Sequence, residues 1–169
     1  MLRPALALLA GAALAGLAAC ATAPSPAGPT PGGPPLGAPA PTPGYDWIAN
    51  LDDDGASLAY GVRDSDDVPL MLGCAPGSRR IGVTRPAAAD SPTLTLGVGE
   101  ARLTLPVRSE PSALHDGVYL TGEASSGEPV LQGFRRTGWL WLHEDGEWHG
   151  LAGHPGAIPG IERFFQACG

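Results

Sequence analysis

The chain has 169 residues and a formal net charge of −7, with 17 acidic residues set against ten basic ones, every one of them arginine. An acidic chain repels phosphate backbones, which argues against nucleic acid as a partner. The lack of lysine, together with 25 glycines and 19 prolines, reads as the coding bias of a GC-rich genome rather than selection for a site.

Taken in chain order, the N-terminus comes first. Arg3 precedes an Ala/Leu/Gly stretch from Ala5 to Ala19, and no charge appears between Pro4 and Ala23. A short basic start followed by an apolar run of this length is the pattern of a secretory signal. The stretch closes on Leu17-Ala18-Ala19-Cys20, which resembles the lipobox of bacterial lipoproteins. The resemblance implies that residues 1–19 are a removable signal peptide and that Cys20 becomes the acylated N-terminus, carrying chains such as palmitate. It also implies a lipid anchor facing the periplasm. Ala21 stands where aspartate would retain the protein in the inner membrane, so the outer membrane is the expected address. An uncleaved membrane helix and a plain cleaved signal are the alternatives. The Ala and Gly content gives weak drive for a permanent span, and the second alternative makes the spacing around Cys20 a coincidence.

Residues 20–44 form the next segment. Between Ala21 and Gly44 there are nine prolines and five glycines and no charge. Such a chain buries too little to offset its ordering entropy, so an unpacked tether biased to polyproline II is expected. Fully extended, it would reach about 70 Å.

Residues 45–169 remain for one domain, enough for a substantial core. Their dominant period is two, the mark of strands. Asp54-Gly55 predicts a first hairpin turn with Leu51 facing Leu58, and shorter strands are expected over 68–74 and 79–84. The run from Leu94 to Leu105 folds about Gly99-Glu100, setting Leu96 against Leu103, Leu94 against Leu105 and Thr95 against Thr104. Further strands are expected over 117–123 and 129–135, then a hairpin over 138–151 turning at Asp145-Gly146. After Pro159, Ile161, Phe164, Phe165 and Cys168 share one helical face. The fold class is therefore all-β, a single antiparallel sandwich or small barrel with a short C-terminal helix.

Three cysteines are an odd number for an exported chain. With Cys20 taken by lipid, Cys74 and Cys168 pair as a disulfide in an oxidising compartment. The second hairpin places Trp139, Trp141, His143 and Trp148 on one face and Leu140, Leu142, His149 and Leu151 on the other. That aromatic face is either a platform for sugar rings, peptidoglycan or a protein partner, or the core-facing side of a central strand.

Four histidines, His115, His143, His149 and His154, lack zinc spacing, and the hairpin register keeps His143 and His149 apart. The runs Asp52-Asp53-Asp54 and Asp64-Ser65-Asp66-Asp67 are turn chemistry rather than calcium loops. Ser125-Ser126-Gly127 lacks a nucleophile elbow, and Glu144 and Glu147 flank a turn where they should be exposed. Arg79-Arg80 and Arg135-Arg136 are each expected to supply one solvated arginine and one ion pair. No metal, cofactor or catalytic set is predicted.

The expected function is a non-enzymatic envelope lipoprotein binding a periplasmic protein or a glycan. A periplasmic hydrolase is the alternative. Asp116-Gly117-Val118-Tyr119 before a strand is similar to the central region of membrane-bound lysozyme inhibitors, a family of small lipid-anchored β proteins. That family's serine and lysine contact motifs have no counterpart in this lysine-free chain.

Overall fold

A computed structural model describes residues 32–35, 37–113 and 116–169. The signal segment, Cys20 and His115 lie outside the described residues. Among the described residues nine strands run in the order β1-β2-β3-β4-β7-β6-β5-β8-β9, and every neighbouring pair is antiparallel. They are β1 (Tyr45–Leu51), β2 (Ala56–Val62), β3 (Leu70–Cys74), β4 (Arg80–Ala87), β5 (Thr93–Val98), β6 (Ala101–Pro111), β7 (Val118–Ser125), β8 (Trp139–Glu144) and β9 (Glu147–Ala152). Two helices, α1 (Pro129–Thr137) and α2 (Ile158–Cys168), complete the domain.

The sheet curls into a nearly closed barrel. β6 makes this possible because it serves two partners: its first half pairs with β5 and its second half with β7. The first and last strands then approach each other. The Trp47 indole N–H donates to the Leu151 carbonyl at 3.4 Å, and the His154 amide donates to Asp46 Oδ1 at 2.9 Å.

Inward positions carry the aliphatic residues that period two predicts. Leu58, Leu72, Ile81, Val83, Leu96 and Leu140 are wholly buried. Both helices add to the same interior. Phe134 of α1 stands 4.5 Å from the Trp47 ring and 6.1 Å from Phe165 of α2, ring centre to ring centre. Burial of each such aromatic side chain contributes roughly 2–3 kcal/mol. The C-terminal helix presents the face read from the sequence, with Ile161, Phe164, Phe165 and Cys168 all buried.

Two expectations need correction. Residues 129–135 form α1 rather than a strand. Pro129 opens the helix, and Gly138 closes it at φ +75° with its amide on the Phe134 carbonyl at 2.7 Å. Val130, Leu131 and Phe134 fall on one helical face and are buried together. Gly133 and Gly138 permit close approach: a Cβ there would lie 2.4 Å from Val98 Cγ1 and 2.5 Å from Ile158 Cδ1.

The first hairpin also shifts. Leu51 pairs with Ala56, and Leu58 with Ala49. Asp52 is the cause: its Oδ1 accepts the amides of Asp54 and Gly55, so the side chain closes a four-residue loop over 52–55 and moves the register by two. The hairpin about Gly99-Glu100 has the predicted register, with Thr95 and Thr104 hydroxyls 3.0 Å apart.

Cys74 and Cys168 form a disulfide with Cα atoms 5.6 Å apart. Beside it, the amides of Gly77 and Arg79 donate to the carbonyls of Ala167 and Cys168, each at 2.8 Å. The loop after β3 thus satisfies carbonyls that the end of α2 would otherwise leave open.

Candidate functional site

The β8–β9 hairpin turns through Asp145 at φ +50° and Gly146 at φ +87°. Two successive positive φ values suit an Asp-Gly pair and set the tight register His143 to Trp148, Trp141 to Gly150 and Leu140 to Leu151. Alternation then divides the side chains. Leu140, Leu142 and Leu151 enter the core, while Trp141, His143 and Trp148 lie half-buried on the outer face. The choice between core and open platform is therefore met by neither. The core tryptophan is Trp47, at 3% exposure, and the outer face is covered by another part of the chain. Trp139, at the start of β8, is partly buried and packs against the core.

The cover is the Pro-rich segment. Trp148 Nε1–H donates to the Gly32 carbonyl and Trp141 Nε1–H donates to the Gly37 carbonyl, both at 3.1 Å. Pro34 is buried and Pro39 half-buried, whereas the other described residues from 32 to 44 are exposed. Gly32, Pro34, Gly37 and Pro39, in the segment expected as a tether, thus lie against the hairpin.

Two glycines make the fit. Gly97 of β5 and Gly150 of β9 flank Trp141 in one row across three strands. A Cβ on Gly97 would meet Pro34 at 2.6 Å and Trp148 Cζ3 at 3.2 Å. A Cβ on Gly150 would meet Pro39 at 2.2 Å and Trp141 Cζ3 at 3.1 Å. Each missing side chain is a slot, and each slot holds a proline beside an indole. Around them the Arg102 guanidinium lies 5.8 Å from the Trp148 ring centre, and the His143 ring lies 4.9 Å from it.

A second concavity, of about 400 Å³, lies at the end of β8 between residues 85–95 and 143–145. Ser91, His143 and Asp145 are among its lining residues, the residue types a hydrolase would need. Their bonding points elsewhere. The Ser91 hydroxyl donates to the Thr93 carbonyl at 2.7 Å, and the His143 ring packs against Trp148 at a tilt of 60°. Arg85, at 7% exposure, donates through Nε to the Pro86 carbonyl and through its terminal nitrogen to Glu144. Glu144 is thus an ion-pair partner, not the exposed turn carboxylate that its position suggests.

The remaining candidates are structural. Arg80 pairs with Glu123, and Arg135 with Glu162, while Arg79 and Arg136 are exposed. Arg135 Nε donates to Glu162 Oε2 at 2.7 Å, and this bond holds the Glu162 carboxyl at about 2, with Gln166 adding a second donor. Asp67 accepts the Tyr45 hydroxyl, which raises the phenol above its usual range. His143 and His149 occupy opposite faces of the hairpin, and among the described residues no three His, Cys, Asp or Glu side chains converge on a metal position. Among the described residues no helix is long and apolar enough to cross a membrane.

No protein-family model, curated protein or solved structure matches this chain.

Sequence reasoning finds the hairpin and its tryptophans but not the slots or their occupants. The Gly97 and Gly150 signal exists only once β5, β8 and β9 are paired.

Proposed function

We propose that this chain is a lipid-anchored protein of the bacterial cell envelope, acylated at Cys20, held at the outer membrane and facing the periplasm. Its β domain is a non-enzymatic binding module that takes an extended protein segment or a glycan strand on the Trp141 and Trp148 face. One observation carries the binding reading. Two outward indoles, each beside a proline-sized slot, already direct their N–H groups to carbonyls of the Pro-rich segment. An indole offers a flat apolar ring and one polar donor, the combination that ligand-binding faces use. The anchor reading is supported by cysteine pairing: with Cys74 bonded to Cys168, Cys20 is the single cysteine left over, and it sits in the lipobox.

The anchor has its own test. In cells fed a fatty-acid analogue, the wild-type chain should carry label and sediment with membranes, whereas Cys20→Ala should be unlabelled and absent from the outer-membrane fraction. Label retained on the variant would remove the anchor from the account.

A further inference from the structure

The occupied face carries a more specific reading, which rests on the binding role proposed above. We propose that the Trp141/Trp148 face is a recognition site for extended polyproline segments, and that residues 32–35 and 37–39 are an intramolecular occupant a partner must displace.

The first support is a repeat in the occupant. Gly32-Gly33-Pro34 and Gly37-Ala38-Pro39 are two Gly-x-Pro steps five residues apart. Each step does the same thing: its glycine carbonyl accepts an indole N–H, and its proline enters a glycine slot beside that indole. The first step uses Trp148 and Gly97, the second Trp141 and Gly150. One chemical unit is thus read twice by two copies of one device.

The second support is the chemistry of the ligand class. A polyproline II chain makes no internal hydrogen bonds, and proline has no N–H to pair with a strand edge. Its carbonyls stay free for donors, and its rings fill shallow aromatic grooves at little entropic cost. Trp141 and Trp148 supply the two donors, and the glycines supply the depth. A sugar strand could stack on an indole, but neither the proline-shaped slots nor the five-residue spacing of the accepting glycine carbonyls follows from stacking.

The third support is how lightly the occupant is held. Of its described residues only Pro34 is buried, and the two indole hydrogen bonds that join it to the hairpin are individually weak once exchange with water is counted. A tethered segment nonetheless competes at an effective concentration in the millimolar range. The segment therefore sets a threshold: a free Gly-x-Pro ligand gains access only in proportion to the fraction of time that the face is open. The partner class is a protein with a Pro- and Gly-rich extended stretch carrying two such steps.

Two pairs of substitutions separate the face from its occupant. Pro34→Ser with Pro39→Ser empties the slots and leaves them intact. Gly97→Ala with Gly150→Ala fills the slots on strands whose φ values any residue tolerates. In each case the full-length lipidated chain in detergent is titrated with a synthetic peptide of residues 31–41, following the indole N–H resonances of Trp141 and Trp148. The serine pair should bind the peptide at least about tenfold tighter than the wild type. The alanine pair should lose binding while the Trp47 resonance stays in place, showing an intact core.

Equal affinity in the wild type and the serine pair would overturn displacement. Binding retained in the alanine pair would overturn the slots. A tetramer of N-acetylglucosamine that moves the same resonances in the serine pair, where the peptide does not, would overturn polyproline recognition and keep the face as a ligand site. If neither probe moves them, the binding role itself falls.

Discussion

Single residues settle which features of this domain are fold and which are surface. Arg135 and Glu162 illustrate the first. They join α1 to α2 through two parallel hydrogen bonds, and the arginine keeps the Glu162 carboxyl at about 2, well below its ordinary range. A carboxyl lowered in the folded state stabilises the fold fully above the unfolded value near 4.5, and that contribution disappears as pH falls through the folded value near 2. Glu162 is partly exposed, so the pair is worth about 0.5–1 kcal/mol after screening by solvent. Glu162→Gln is accordingly expected to lower stability by no more than that at pH 7, with the two proteins converging toward pH 2. Urea unfolding midpoints at several pH values would measure this, and a difference that grew on acidification would contradict it. Trp141 illustrates the second kind of residue. Its ring faces outward under Pro39, so it contributes to the cover over the barrel rather than to the barrel's interior.

The elements show where sequence reading succeeds and why it stops. The hairpins about Gly99 and Asp145-Gly146 were legible because turn chemistry and period two agree on one register. The register of the Asp52–Gly55 loop was not, since it depends on the Asp52 carboxylate accepting two amides within the loop at once. Helix α1 spans nine residues between a proline and a glycine, and such a short apolar run fits either a strand or a helix until its neighbours are known. Helix α2 was legible from its face, and the disulfide from the odd cysteine count. That disulfide closes a separation of 94 residues. On the chain-entropy account a closure of this length stabilises by about 4–5 kcal/mol. Replacing Cys74 and Cys168 by alanine together should lower the unfolding free energy by about that amount, with α2 the first element to lose amide protection, because its end is held by the same loop. Protection of α2 equal to that of β2 in the double variant would contradict the clamp.

For the molecule as a whole, the Pro-rich segment is the element whose contacts sequence alone does not reveal. Its two Gly-x-Pro steps are inconspicuous among so many prolines, and a proline-rich stretch before a domain reads as spacer. Its contact with the barrel depends on two glycines on strands 53 residues apart in the chain, each unremarkable by itself. Once β5, β8 and β9 lie side by side, those glycines and two tryptophans become complementary to Gly-x-Pro steps. Anchor, segment and domain then form one device: the segment that links the proposed lipid to the barrel also covers the face proposed for the partner. The covered face requires that Gly32, Pro34, Gly37 and Pro39 lie on Trp141 and Trp148 in solution. Solvent exchange of the two indole protons measures this directly. In the full-length chain both should exchange several-fold more slowly than in the Pro34→Ser, Pro39→Ser variant, because each is bonded to a carbonyl of the covering segment. Exchange of both protons at the rate of a free indole in the unmodified chain would contradict the account.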